Sequence, residues 1–526
     1  GTILPEKIAW DAGGVVTHLE RLLRAKETAD LSKRLSSKGR RRSVTVPKLS
    51  DAHAAGTRQS AKCSLFLTEG DSACSTVLGA IAKLGRKFFG ALPLKGKPLN
   101  ARTASKRSLM NNTEIKNLME ILGLKMGQVY DRDLKGLRYG HVVVMADQDV
   151  DGVHIASLFF SLVAHFWPSL AELGYVQLFI TPLLKVGKRE FFDHASFVAA
   201  QPLRGKVKYY KGLGTWTSGE ARAMFARPGR YLKTMVFDAE GYAALDMAFG
   251  PKQVETRKQW IVAPKEDNFS FAPARLRVKD YVTCALHDYG RSALQRAIPS
   301  LVDGLKESQR KAVFVGLTVK QSTKVAQLAA SIAERTHYEH GEQSMCGTLV
   351  KMAQGYPGTN NFPLFAAEGQ FGSRRMNGKD AASPRYIYTT FIGGDLFHPN
   401  DVLTPRVVEG CEVEPEHYYP LVPLVLVNGA VGIATGFGTS ILPNRMNDLI
   451  VNLERMIDGR EPTPMSVSVR GYTGTITRDY VSKGRYQLYG ERELRILELP
   501  LGVSVEKYKL FLGETDLVQS FEEHHA

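Results

Sequence analysis

The segment His141-Val142-Val143-Val144-Met145-Ala146 runs directly into Asp147-Gln148-Asp149-Val150-Asp151-Gly152. A short β-branched apolar run reads as a buried strand, and carboxylates at alternate positions follow where it ends. Ionised side chains without partners are too costly to bury in a low-dielectric interior. The fold must therefore set them at an opening and bring a cation to them, and carboxylate oxygens suit a hard divalent ion such as Mg²⁺. The D-x-D-x-D-G spacing also opens a calcium-binding EF-hand loop. That loop needs a preceding helix and a bidentate glutamate at its twelfth position, which here is Leu158. A solvated acidic turn is the plainer alternative, and carboxylates in register at a strand end weigh against it.

The chain has 526 residues, enough for several domains. Its 69 basic and 53 acidic residues give a formal net charge of +16. Such an excess favours a polyanionic partner, nucleic acid first and an acidic membrane surface second, although solubility alone also accounts for it. No apolar run approaches the ~18 residues that cross a bilayer, so no membrane-spanning segment is expected. No signal peptide opens the chain, and the missing initiator Met reads as a fragment or a trimmed chain. The five cysteines, Cys63, Cys74, Cys284, Cys346 and Cys411, form no CxxC pair. They point to a reducing intracellular compartment with neither a zinc site nor a disulfide frame.

Ser64 to Thr68 reads as a short apolar strand, followed by Glu69-Gly70-Asp71-Ser72-Ala73 and a helix through Ala80 with Asp71 or Ser72 as its N-cap. Helices are expected over Ala12–Ala29, Thr113–Leu122 and Ile155–Phe166. The basic, Ser-rich run Ser36 to Ser43 is expected as a mobile loop, touching nucleic-acid phosphates or merely solvated. Alternating strands and helices imply an α/β domain with a parallel sheet, in which ligands sit beyond the carboxyl ends of the strands. Glu69 and the Asp147 run both lie at such ends. Residues from Pro251 to Phe271 read as charged and irregular, a helix-rich region starts near Val278, and strands and turns return from Asn400.

Glu69 with Asp147, Asp149 and Asp151 makes a carboxylate set able to hold one or two Mg²⁺ ions. Paired ions of this kind stabilise the attacking and leaving oxygens of phosphoryl transfer. Glu69, beside Gly70, is also placed to act as an acid or base.

Glu69-Gly70-Asp71-Ser72-Ala73 with Asp147-x-Asp149-x-Asp151-Gly152-x-His154-Ile155 resembles the Toprim domain of type II DNA topoisomerases. Pro93-Leu94-Lys95-Gly96-Lys97-Pro98-Leu99-Asn100 and Lys208-Tyr209-Tyr210-Lys211-Gly212-Leu213-Gly214-Thr215 resemble further stretches of that family, and the unbroken run into a second region looks like the eukaryotic enzyme. The resemblance implies a mixed α/β multidomain chain: a connector helix and basic loop over 1–54, a Toprim domain with its extension over 55–250, a linker over 251–290, a winged-helix domain over 291–410, and an incomplete tower domain over 411–526. Ala381-Ala382-Ser383-Pro384-Arg385-Tyr386-Ile387-Tyr388-Thr389 resembles the family's active-site segment, which makes Tyr386 the nucleophile and Arg385 a stabiliser of the phosphorane charge. Tyr388 would share a face with Tyr386 in an extended segment, so local geometry leaves both open. The resemblance also implies His340 and Arg310 near the scissile phosphate. It implies DNA contacts at Lys95, Lys97, Lys211, Lys324 and Gln370-Phe371-Gly372-Ser373-Arg374, and an apolar wedge at Ile433 that unstacks a base step. Glu307-Ser308 stands where the family usually has Pro-Gly.

On this reading Tyr386 forms a 5′-phosphotyrosyl link while the 3′-hydroxyl leaves near Glu69, and a homodimer passes a second duplex through the break. No nucleotide-binding fingerprint is found, so ATP is expected only through a domain outside this chain. Double-stranded DNA is the expected partner, topoisomerase poisons are possible ligands at the cleavage site, and the nucleus, or else an organelle, is the expected location. Three other readings stay open: a bacterial-type gyrase or topoisomerase IV fusion, a Toprim nuclease or primase, and a DNA-binding structural module.

Overall fold

The computed structural model describes residues 44–210, 212, 216–265, 269–397, 402–408 and 411–524. The expected connector helix, the basic loop and Lys211 lie outside these described residues. The chain divides into two units, Gly1–Ser292 and Ala293–Ala526.

The first unit is built on strands β1 (Ser64–Glu69), β2 (Phe89–Leu94), β3 (His141–Met145) and β4 (Val176–Phe179). A small antiparallel sheet follows, with β5 (Leu184–Val186) between β6 (Arg189–Phe191) and β7 (Val207–Tyr209). Strands β8 (Leu232–Val236) and β9 (Arg275–Arg277) then complete the main sheet in the order β2-β1-β3-β4-β8-β9. The four strands β1 to β4 are parallel, as expected, while β8 runs antiparallel to β4 and β9 runs parallel to β8.

Side chains alternate across β1 and β3. Leu65, Leu67, Val142 and Val144 enter one buried cluster with Ile115, Leu118 and Phe159. Phe66, Val143 and Met145 enter another with Val77, Ile81 and Phe225. Helices cover both faces, which is why these strands read as unbroken apolar runs.

The helix after β1 is Gly70–Leu84 and its N-cap is Glu69, not Asp71 or Ser72. Gly70 sits at φ +78°, a conformation open to glycine at little cost, and this turns the chain from strand to helix within one residue. The helix after β3 is Val150–Phe166, starting five residues before the expected Ile155. Its start lies inside the acidic run because Asp149 is itself the cap. The stretch read as irregular from Pro251 to Phe271 contains the helix Val254–Val262, whose Ile261 is buried, and β9 joins the sheet edge soon after, so 251–290 is part of this unit rather than a free linker.

In the second unit the helices Glu307–Gly316, Val325–Arg335 and Glu342–Ala353 share one core with Phe365, Phe371 and Ile387. That core also takes in Tyr418, Leu424, Val427 and Leu449, so it does not stop at residue 410. Strand β10 (Thr323–Lys324) pairs antiparallel with β11 (Tyr388–Thr389). Antiparallel pairs follow: β12 (Arg406–Val408) with β13 (Cys411–Val413), β14 (Ala430–Ala434) with β15 (Phe437–Ile441), β16 (Thr475–Ile476) with β17 (Ser482–Lys483), and β18 (Arg485–Tyr489) with β19 (Glu493–Glu498). All five cysteines are free thiols. Among the described residues no helix is long and apolar enough to cross a membrane.

Candidate active site

The parallel register explains how residues far apart in sequence meet. Ser64 pairs with His141 and with Phe89, so the carboxyl ends of β2, β1 and β3 stand side by side. The Lys95–Lys97 loop, Glu69 and the Asp147 run all leave the sheet there, at the end where such sheets hold ligands. The Asp147 N–H donates to Glu69 Oε2 at 3.4 Å. Burial first, then the charges of Asp149, Asp147 and Asp151, push the Glu69 carboxyl up to about 7, although the Asp147 N–H pulls the other way.

The aspartates are not equivalent. Asp149 Oδ1 accepts the Gly152 N–H at 2.7 Å and caps the helix Val150–Phe166. Asp151, in the first turn, forms an ion pair with Lys97 Nζ. Lys97 Nζ also lies 4.5 Å from the centre of the Tyr289 ring, and that ring stacks on His154 at 3.8 Å. Asp147 faces the backbone at Gly212, where a Cβ would stand 2.6 Å from Asp147 Oδ2. A Cβ there would displace the Asp147 carboxylate, and φ is +147°, a conformation that glycine adopts at little cost. Sequence reasoning missed Gly212 and Tyr289. The glycines of the Lys211 motif were the available signal for the first, and nothing in the sequence pointed to the second.

Among the described residues no three Asp, Glu, His or Cys side chains form a ready metal-ligand group. This departs from the expected four-carboxylate cluster, because Asp149 serves as a cap and Asp151 is turned to Lys97. The donor chemistry still fits a hard divalent ion. The Glu69 carboxyl is held up first by burial and then by the negative charge of the aspartates, which a cation would relieve, and Lys97 already brings a cation to Asp151.

Lys95 is exposed, and its N–H donates to Glu114 Oε1 at 2.9 Å. Glu220 ties together residues that flank Lys211 in sequence. Its carboxylate accepts Lys208 Nζ at 2.8 Å, the Tyr210 hydroxyl at 2.8 Å and the Thr217 N–H at 3.0 Å.

In the second unit Tyr386 lies in a turn, its N–H donating to Ser383 O at 2.9 Å, and its side chain is 66% exposed. The Arg385 guanidinium lies 4.9 Å from the ring centre. The segment is not extended at Tyr386, so the shared face expected with Tyr388 does not exist. Tyr388 instead belongs to β11, exchanges backbone bonds with Glu368 and has Lys324 Nζ 5.8 Å from its ring centre. His340 is exposed, meets Tyr338 edge to face, and has Nε2 3.4 Å from Arg296 Nη1. Ile433, on β14, is 82% exposed.

Two expectations require correction. Arg310 is buried and its guanidinium is committed to Asp303, at 2.6 and 3.0 Å, and to Leu305 O at 3.2 Å, so it does not stand free for a phosphate. Asp303 also accepts the Tyr418 N–H at 3.2 Å, which makes Arg310 part of the packing between the helix Glu307–Gly316 and the chain at Tyr418. In the segment expected along DNA, Gln370 is exposed, but Phe371 is in the core and Arg374 donates to Leu499 O and Pro500 O.

The fold and site define a class: a Toprim-type carboxylate site on a parallel sheet, joined in one chain to a helix-and-hairpin unit that exposes a tyrosine beside an arginine. Residues 64–175 match the Toprim domain, 179–293 the C-terminal associated domain of TOPRIM, and 296–522 the DNA gyrase/topoisomerase IV A-subunit family. DNA topoisomerase 2-alpha of Homo sapiens is 38% identical over 531 residues, covering 94% of this chain and 35% of its own length. A probable DNA topoisomerase 2 of Dictyostelium discoideum is 37% identical, covering 96% and 35%. The crystal structure of the Plasmodium falciparum topoisomerase II DNA-binding, cleavage and re-ligation domain superposes with a TM-score of 0.68 at 37% identity, over 90% of this chain and 68% of that one. The chain belongs to the type IIA DNA topoisomerase family and corresponds to the central region of its eukaryotic members. It spans about a third of the length of those full-length relatives.

Proposed function

We propose that this chain cuts and rejoins double-stranded DNA. The observation that carries the proposal is the exposed Tyr386 phenol beside Arg385, in a chain that also holds the Toprim carboxylates. The Tyr386 hydroxyl gives its proton to solvent as its oxygen attacks a backbone phosphorus, the 5′-phosphotyrosyl bond forms while the bond from phosphorus to the 3′-oxygen breaks, and that 3′-oxygen takes up a proton. The Arg385 fork offsets charge on the phosphorane. His340 donates a hydrogen bond to the same phosphate. Glu69, at the carboxyl end of β1 beside the Asp147 run, is placed to exchange a proton with the 3′-oxygen. Religation reverses the step, since the tyrosyl ester conserves the phosphodiester energy.

Glu69, Asp147 and Asp149 would hold Mg²⁺, which supplies charge neutralisation at the reacting phosphate when bound. Asp151 would take an outer place or serve a second ion. Arg310 is read as a positioning residue. Lys95, Lys97, Lys211, Lys324 and Gln370 are proposed backbone contacts, and Ile433 the wedge that bends the duplex. Tyr386 of one protomer would work with the carboxylates of its partner, which requires a homodimer, in the nucleus. Poisons of such enzymes would bind at the cleavage site.

Trapping with denaturant after incubation with supercoiled DNA and Mg²⁺ tests the proposal. A 5′-linked protein–DNA adduct should form, vanish in Tyr386→Phe and persist in Tyr388→Phe. An adduct that survives Tyr386→Phe overturns the assignment.

A further inference from the structure

The β14–β15 hairpin presents two aliphatic side chains to solvent. Ile433 is 82% exposed, and Val431, two residues earlier and so on the same face of the strand, is 63% exposed. Gly432 between them is buried and lies so close to its neighbour that a Cβ would stand 2.4 Å from Ala297 O. The hairpin therefore has a packed back and an apolar front.

A two-stranded hairpin is marginal on its own, and one that pushes between stacked bases needs support from behind. Lys306 Nζ donates to the Val431 carbonyl at 2.8 Å. Lys306 directly precedes the helix Glu307–Gly316, whose Arg310 and Lys311 are buried and locked to Asp303 and Glu414. The support thus runs from the hairpin into the core of the unit. Burial, and after it the charge of Lys351, hold the Lys306 ammonium below the usual lysine range, consistent with a side chain turned inward.

We infer that Val431 is a second wedge residue beside Ile433, and that Lys306 is a positioning residue bracing the pair against a bent duplex. The inference rests on the reading of Ile433 as a DNA wedge. Val431 would press on the base edges next to the step that Ile433 opens, and Lys306 would act through the Val431 carbonyl rather than on a phosphate.

The test is the bend of a doubly end-labelled duplex, read by energy transfer with the full chain bound at saturation. Ile433→Ala should abolish the bend; if it does not, the wedge reading itself fails. Val431→Ala should lower the ratio of bent to straight DNA about tenfold, the effect expected for two methyl groups returned to water. Its side chain is exposed, so loss of folding is not an alternative explanation. Lys306→Met should lower the ratio about tenfold, the effect of one charge-assisted bond, and Lys306→Arg should restore most of it. The salt dependence of binding should stay as in the unmodified chain. An unchanged bend in Val431→Ala overturns the second wedge. An unchanged bend in Lys306→Met with a salt slope smaller by about one makes Lys306 a phosphate contact instead and overturns the brace.

Discussion

Replacing Arg310 with methionine strips the cation from a carboxylate that has no route to water. Asp303 is 0% exposed and receives two guanidinium bonds, at 2.6 and 3.0 Å. What remains in the variant is the Leu305 N–H at 2.9 Å and the Tyr418 N–H at 3.2 Å. Removing one partner of a buried pair costs about 3–5 kcal/mol because the other charge is left uncompensated. Two surviving N–H donors place this case near the lower end, about 3 kcal/mol, or roughly two decades in an equilibrium constant. Hydrogen exchange at the Leu305 and Tyr418 amides should therefore lose about a hundredfold in protection. The double variant Asp303→Asn, Arg310→Met should recover much of that loss, because a neutral amide is left in place of a carboxylate. The salt dependence of DNA binding should not move. If exchange is unchanged in Arg310→Met while the salt slope falls by about one, Arg310 reaches a DNA phosphate and the reasoning is refuted.

Three further outcomes are expected. Glu220 is raised by burial, but bonds from Lys208, Thr217 and Tyr210 outweigh this and hold its carboxyl down to about 2. A depressed carboxyl contributes stability above its unfolded value and loses it as pH falls through the folded one, here about 1 kcal/mol after solvent screening, lost between roughly pH 4.5 and 2. Urea midpoints against pH should show that fall and should flatten over the same window in Glu220→Gln. Gly212→Ala would put a Cβ 2.6 Å from Asp147 Oδ2 at φ +147°, with about 1–3 kcal/mol of strain. Calorimetric Mn²⁺ binding should weaken while DNA affinity holds, and unchanged Mn²⁺ binding would count against a role for that approach. Chelation with EDTA, or Asp147→Ala, should abolish the covalent adduct yet leave gel-shift affinity for DNA within a few fold, since affinity comes mainly from phosphate contacts.

Local features of the fold could be read from the chain because they depend on local causes. The strands at Ser64 and His141 are apolar on both faces, and the helix Thr113–Leu122 has the bounds its sequence implies. Both misplaced helix starts have one explanation. A strand that must turn at once into a helix sets the start by backbone geometry: Glu69 with Gly70 takes the first cap although Asp71 and Ser72 have the better capping propensity, and at the second helix Asp149, itself a preferred cap, starts the helix inside the acidic run. The helix Val254–Val262 was hidden because its charged sequence gives little periodic signal, with Ile261 alone fully buried.

The candidate site was partly readable for the same reason. Carboxylates at strand ends announce themselves, and Arg385-Tyr386 was found through a motif rather than through physics. Lys97, Arg310 and Arg374 were all placed toward DNA by the family resemblance, and the structure gives them protein partners in Asp151, Asp303 and the backbone at Leu499 and Pro500. A basic residue shows its sign in sequence but not its partner, and those partners lie 54, 7, and 125 and 126 residues away.

By itself the sequence determined which residues carry charge at strand ends, which runs are buried on both faces, and which family motifs are present, since all of these follow from residue type and short-range spacing. Only the tertiary structure decided what those residues do once neighbours surround them. The parallel register set Glu69 beside Asp147, the close packing against backbone at Gly432 required the absence of a Cβ, and burial turned Arg310 inward while leaving Tyr386 and Ile433 exposed. Burial and partner choice are properties of the assembled chain, because the free energy of a charge or an apolar side chain depends on what has been brought next to it.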